Sequence, residues 1–304
     1  MSMRHLLSSQ QLSVESITEI LDVASAFLTP TGLVQRAQPI LADKRFVLAF
    51  FEPSTRTRLS FETAIQRLGA SSVHFSSSGS SVEKGETLQE TIHTIQAMGF
   101  DGVIIRHAHN GTHERVASYT TMSVINAGEG SVAHPTQALL DASTIRERFG
   151  SVRGVKVAIV GDLQHSRVAR STSDVLLRMG AEVAYCAPDS LRPNDEQFER
   201  LQRFESIDDA SHWADVVYLL RIQRERITND IVPSVEEYRK FYAMTSQRAL
   251  TNPNLVIMHP GPVNVGVELD EELLSLPQCL IHRQVTHGVA VRMSVLNMIF
   301  SDNR

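Results

Sequence analysis

The chain has 304 residues, 42% of them hydrophobic and 21% charged, which suits about two domains with their own cores and excludes a small stapled scaffold, a disordered chain or a fibre. The 29 Lys+Arg against 34 Asp+Glu give a formal charge of -5 with no acidic or basic tail, so no nucleic acid and no membrane is expected as partner, and the ligands should be small. Cys186 and Cys279 stand in apolar surroundings and read as reduced core thiols. With no leader-like start and no run of roughly 18 apolar residues, the expected location is cytoplasmic.

After Ser13, a plausible N-cap with Ser16 three positions on, the residues Val14, Ile17, Ile20, Leu21, Ala24, Phe27 and Leu28 repeat at helical spacing. Short apolar runs at 46–51, 72–75, 102–105 and 123–126 then alternate with helical segments at 57–69, 86–99 and 111–118, and such alternation predicts a parallel sheet. The first run leads into Glu52-Pro53-Ser54-Thr55-Arg56-Thr57-Arg58. Unpaired N–H groups of a first helical turn attract anions, the three hydroxyls add donors, and Arg56 adds a planar fork, so the turn fits a phosphate. The plainer reading is that Ser54 or Thr55 caps the helix and the arginines face water. The loop 76–85 is long, polar and glycine-flanked, and it carries Ser80 and Lys84, the latter one of four lysines in the chain. It can close over a ligand or stay a solvated loop.

His134-Pro135-Thr136-Gln137 opens a helix at 134–149, ended by Gly150, and the domain boundary is expected near it. The positive end of a helix keeps such a histidine neutral and able to donate to a carbonyl oxygen, and Gln137 offers both a donor and an acceptor; a structural role for a lone histidine remains the alternative. A second series begins at 155–161, with strands expected at 181–186, 215–220 and 255–258 and helices at 167–179, 194–203 and 234–241. Gly161-Asp162-Leu163-Gln164-His165-Ser166-Arg167 lacks the later glycines of a dinucleotide fingerprint, which disfavours hydride transfer, while Arg167 is a natural anion contact. Arg221-Ile222-Gln223 follows the strand at 215–220, and His259-Pro260-Gly261-Pro262 ends the one at 255–258 in a turn with backbone carbonyls to offer. A last helix at 287–300, with Val289, Val291, Met293, Val295, Leu296, Met298 and Ile299, is apolar nearly all round and is expected to lie buried between the two halves.

Together, Ser54-Thr55-Arg56-Thr57-Arg58 with Ser60-Phe61-Glu62, Lys84-Gly85-Glu86-Thr87, Ile105-Arg106-His107, His134-Pro135-Thr136-Gln137, Gly161-Asp162-Leu163 with Arg167, Arg221-Ile222-Gln223 and His259-Pro260-Gly261-Pro262 resemble, in order and over nearly the whole chain, the catalytic chains of aspartate carbamoyltransferases. The sister ornithine enzymes typically carry cysteine in place of Thr136 and an H-C-L-P turn, neither of which is present. The resemblance implies two doubly wound parallel-sheet α/β domains joined by interdomain helices: a carbamoyl phosphate domain at 1–134 with the C-terminal helix 287–304, and an aspartate domain at 135–286. It implies no cofactor and no metal, with carbamoyl phosphate and L-aspartate as substrates.

By the same resemblance Ser54, Thr55, Arg56, Thr57 and Arg106 hold the phosphate, and His134 and Gln137 the carbamoyl group. Arg167 and Arg221 take the carboxylates of aspartate with Gln223 nearby, and the backbone of Gly261 and Pro262 receives the carbamoyl NH2. Ser80 and Lys84 come from the neighbouring subunit of a homotrimer with shared active sites, and Glu52 with Arg226 resembles a pair that secures domain closure. A regulatory chain or a dihydroorotase is left open as partner. Two departures are Val265, where many relatives have arginine, and Val132-Ala133 before His134, where polar residues are more usual. The rival readings are a carbamoyltransferase for another amino acid and a catalytically silent scaffold; the second would be expected to have lost one of Arg56, Lys84, Arg106 or His134, and none is lost.

Overall fold

Short runs of β-branched and aromatic residues followed by amphipathic helices leave the backbone few ways to satisfy itself except as strand, crossover helix and parallel strand. The computed structural model, which describes residues 3–33, 39–76, 85–222 and 234–301, has that form. The chain divides into two units, residues 1–143 with 285–304 and residues 144–284.

The first unit opens with α1 (Val14–Ser25), capped by Ser13, whose side chain accepts from the Ser16 N–H. A short antiparallel pair follows, β1 (Leu28–Thr29) and β2 (Gly32–Leu33). Then come β3 (Arg45–Phe50), α2 (Thr55–Arg67), β4 (Ser71–Ser76), α3 (Leu88–Ala97), β5 (Gly102–His107), α4 (Thr112–Tyr119), β6 (Ser123–Glu129) and α5 (Pro135–Phe149). The parallel sheet runs β4-β3-β5-β6. One face packs Val47, Ala49, Val103, Ile105 and Val124 against Ile92 and Ile95 of α3 and Val116 of α4, and each valine or isoleucine side chain taken fully out of water stabilises by about 1.5–3 kcal/mol.

The second unit carries β7 (Lys156–Val160), α6 (Arg167–Arg178), β8 (Glu182–Cys186), α7 (Glu196–Glu199), β9 (Gln202–Phe204), α8 (Ile207–Trp213), β10 (Val216–Leu219), α9 (Val235–Tyr242), α10 (Ser246–Thr251) and β11 (Val256–Met258). Its sheet is parallel in the order β11-β10-β7-β8-β9. The helix expected at 194–203 is a correction: only 196–199 is helical, and 202–204 forms the edge strand β9 against β8. Phe204 packs on the cluster around Ala158, Cys186 and Val217, and sheet pairing there outweighs the helix propensity of a segment rich in Glu and Gln. The last helix, α11 (Ile281–Ser301), begins six residues earlier than its apolar pattern, and the division between the units falls inside both α5 and α11. Cys186 is a buried free thiol pushed up to about 12, by burial first and then by the Glu205 charge. No helix among the described residues is long and apolar enough to cross a membrane.

Candidate active site

In an open parallel sheet, ligands meet the carboxyl ends of strands where the winding reverses. In the first sheet the reversal lies between β3 and β5, because the chain passes from β3 to β4 on one side and then to β5 on the other. The segment after β3 holds Glu52 and Ser54, and Thr55, Arg56 and Thr57 form the first turn of α2. Ser54 occupies the N-cap position, yet its side chain makes no capping hydrogen bond, so the plainer reading of that hydroxyl is not met. Thr55 and Arg56 are exposed, Ser54 is half-buried and Thr57 buried.

Arg106 is the penultimate residue of β5, inside the strand rather than after it. The pairing of β5 with β6 shifts register between Ile105 and His107, and such an irregularity re-aims a side chain. Its Nη1 donates to the Ala127 carbonyl at 3.2 Å, and its Nε lies 3.6 Å from Glu52 Oε2. Glu52 therefore meets Arg106 here; its expected partner Arg226 lies outside the described residues, as do Ser80, Lys84 and Gln223.

From β6 the chain reaches His134 through a closed turn in which the Glu129 N–H donates to the Ala133 carbonyl at 2.9 Å and the Val132 N–H donates to the Glu129 carbonyl at 3.0 Å. The Glu129 side chain is buried beside His113, Oε1 to Nδ1 at 3.2 Å, while His113 Nε2 donates to the Ile105 carbonyl at 2.8 Å. Burial pushes the Glu129 carboxyl up, but the His113 side chain and N–H, the His113 charge and the Thr112 N–H outweigh it and hold the carboxyl below its usual range. His134 and Gln137, both buried, stand at the start of α5 as the sequence pattern requires. Val132, the first of the two atypical residues before His134, is exposed, and Ala133 is buried.

The second sheet reverses between β7 and β10. After β7, Asp162 accepts from the His165 N–H at 3.1 Å, and Ser166 caps α6 by accepting from the Ala169 N–H at 3.1 Å. This delivers Arg167, buried, as the first residue of α6. Arg221 follows β10, half-buried, on the other side of the same reversal. Gly261 and Pro262 lie beyond β11, where the Gly261 N–H donates to His259 Nδ1 at 2.7 Å, so His259 carries its proton on Nε2.

Sequence reasoning missed the residue that ties these loops together. Glu268, fully buried, accepts from the Ile222 N–H at 2.9 Å, the Asn264 N–H at 2.6 Å and Asn264 Nδ2 at 2.7 Å, and its Oε2 lies 3.8 Å from His259 Nε2. Burial raises its pKa, opposed by those N–H groups and by the Arg221 charge. A signal existed in the spacing Asn264 to Glu268, but nothing local points to Ile222. Val265, the other departure, is exposed, and its loop is closed by backbone bonds from Gly266 to Leu269 and from Val267 to Asn264.

Residues 4–147 match the family model described as the carbamoyl-P binding domain of aspartate/ornithine carbamoyltransferases, and residues 153–299 match the Asp/Orn binding domain. The chain belongs to the aspartate/ornithine carbamoyltransferase family. Within that family it is 47% identical to the aspartate carbamoyltransferase catalytic subunit of Akkermansia muciniphila, over 96% of each chain, and 44% identical to that of Chlorobium phaeovibrioides, over 98% of each. Among solved structures it is similar to the catalytic subunit of M. jannaschii aspartate transcarbamoylase, with a TM-score of 0.87, 36% identity and 99% coverage of both chains. It is similar also to the Trypanosoma cruzi aspartate transcarbamoylase in complex with carbamoyl phosphate and aspartate, with a TM-score of 0.86, 31% identity and 96% and 95% coverage. The expected fold of two parallel-sheet α/β domains is that of these relatives.

Proposed function

We propose that the protein is an aspartate carbamoyltransferase, forming N-carbamoyl-L-aspartate and phosphate from carbamoyl phosphate and L-aspartate in the synthesis of pyrimidines. The observation that carries this reading is the pair Arg167 and Arg221 flanking one sheet reversal. A dicarboxylate gains charge-assisted hydrogen bonds from two guanidiniums, whereas the ammonium of ornithine would be repelled.

In this reading Ser54, Thr55, Arg56, Thr57 and Arg106 take the phosphate and His134 and Gln137 the carbamoyl group. Arg167, Arg221 and Gln223 take aspartate, with the backbone of Gly261 and Pro262 receiving the carbamoyl NH2. The aspartate nitrogen attacks the carbamoyl carbon, the carbonyl oxygen becomes anionic in the tetrahedral intermediate, and the bond from that carbon to the bridging oxygen breaks as phosphate leaves with that oxygen and the proton lost by the nitrogen. Donors aimed at that oxygen from Arg106, His134 and Thr57 contribute on the order of 3 kcal/mol each. Holding two oriented substrates contributes on the order of 7–11 kcal/mol. The active unit is a cytoplasmic homotrimer in which Ser80 and Lys84 complete a neighbour's site.

The test is formation of carbamoylaspartate by the purified protein, with succinate as competitor. Succinate, which has both carboxylates and no amine, should compete with aspartate, and ornithine should not be carbamoylated. Silent succinate together with carbamoylated ornithine would overturn the assignment.

A further inference from the structure

The amide of Gln137 has a donor end and an acceptor end, and only the acceptor end suits the NH2 of a carbamoyl group. In the structure the donor end is engaged: Gln137 Nε2 donates to Asp141 Oδ1 at 3.0 Å, one turn further along α5. Asp141 is fully buried, and an ionised carboxylate can only accept. The nitrogen end of Gln137 must therefore face Asp141, and the oxygen end is turned the opposite way.

A buried carboxylate needs a compensating charge, and the buried Arg292 of α11 is near enough to feel the charge of Asp141. It is 3% exposed, its guanidinium sits 4.9 Å over the Phe61 ring of α2, and its Nη1 donates to the Gly288 carbonyl at 2.9 Å. A Cβ at Gly288 would lie 2.6 Å from that Nη1 and 3.3 Å from Leu140 Cδ2. The missing side chain thus makes room for the guanidinium beside Leu140, the neighbour of Asp141. Burial pushes Arg292 down to about 9, and the Asp141 charge acts against that fall; a guanidinium keeps its proton in proteins.

Resting on the reading that Gln137 meets the carbamoyl group, we propose that Asp141 is a positioning residue: it locks the Gln137 amide with its oxygen toward the carbamoyl NH2 and so selects an acyl phosphate that carries an amino group over one that carries a methyl group. An Asn at position 141 can donate as well as accept, which leaves the Gln137 amide two orientations instead of one.

The experiment measures binding of carbamoyl phosphate and of acetyl phosphate, its methyl analogue, to the full-length protein as wild type, Asp141→Asn, Gln137→Ala and the double variant. Losing one oriented hydrogen bond predicts that Asp141→Asn binds carbamoyl phosphate about tenfold more weakly and acetyl phosphate within about twofold of wild type. The double variant should be no weaker than Gln137→Ala alone, because Asp141 acts through Gln137. Equal loss for both ligands, or full additivity in the double variant, would overturn the lock and leave Asp141 a structural residue. If Gln137→Ala binds carbamoyl phosphate as wild type does, the placement of Gln137 itself fails and the lock with it; a silent Asp141→Asn beside an impaired Gln137→Ala sinks the lock alone. Should Asp141→Asn not fold, Gly288→Ala, which displaces Arg292 and leaves Asp141 in place, should weaken carbamoyl phosphate about threefold and spare acetyl phosphate. Equal weakening of the two ligands in that variant would equally overturn the proposal.

Discussion

Replacing Gly130 with alanine perturbs the turn that delivers His134 to the head of α5. Gly130 is buried at φ 46°, and a Cβ there would overlap Asn110 Oδ1 and lie 2.9 Å from Asn110 Cγ and 3.0 Å from the Ala108 carbonyl oxygen. Two costs can be separated. The left-handed backbone disfavours any side chain by about 1–2 kcal/mol. Asn110 is exposed and can swing aside, but it then gives up the hydrogen bond its Oδ1 accepts from the Ser131 N–H at 3.3 Å, worth about 0.5–1.5 kcal/mol. Urea unfolding of Gly130→Ala should therefore show a loss of about 1.5–3.5 kcal/mol. In an Asn110→Ala background the overlap with Asn110 and the bond are already gone, so the same substitution should cost only the backbone part and the close approach to the Ala108 carbonyl, about 1–2 kcal/mol. Carbamoylaspartate formation should fall with it, because Gly130 stands four residues before His134. A loss below about 0.5 kcal/mol, or an equal loss in both backgrounds, would refute the reasoning.

The Glu129 carboxyl, held below its usual value of 4.5 in the folded chain, contributes stability that is present above pH 4.5 and lost as the pH falls through the lower folded value. The excess of wild type over Glu129→Gln in denaturant midpoint should thus shrink between pH 6 and pH 3, and a constant difference would exclude the pair with His113 as its source. The shared site proposed above predicts complementation: Arg56→Ala and Lys84→Ala chains, each expected to be inactive alone, should recover about a quarter of wild-type activity after equal mixing and reassembly. About three quarters of random trimers are mixed, and each holds one intact site of three. No recovery would confine each site to one chain.

Much of this architecture was legible because function in an open sheet sits at strand ends, and strand ends are local features. The apolar run before Ser54 and the one before Arg106 marked both residues as standing at strand ends; that they share one reversal comes from the strand order of the folded sheet. The edge strand Gln202–Phe204 was not legible: three residues carry no periodicity, and the pairing with β8 that makes them a strand comes from elsewhere in the chain. Glu268 and Asp141 escaped for a related reason. Each is one charged residue among many on a sequence, and only burial among particular donors, Ile222 and Asn264 for one and Gln137 for the other, sets it apart. Arg292 reads as a polar interruption of an apolar helix until the space left by Gly288 explains where its head group goes.

The approach of Glu52 to Arg106, 3.6 Å between groups that are 17% and 14% exposed, bears on turnover rather than on stability. Glu52 already gives this guanidinium an anion beside it, so a phosphate arriving under the proposed reaction would enter by exchange: one anion would displace another, and only the difference between the two contacts would reach the binding constant. Tethered beside the arginine, the carboxylate never diffuses away. Under the same reading, when the product phosphate loosens, Glu52 would compete for the place it vacates, and recapture would lower the chance that the same ion settles back. A contact that tempers affinity for the first substrate would thereby hasten departure of the last product, a useful trade if, as proposed, the two phosphate-bearing ligands, one entering and one leaving, use the same cradle.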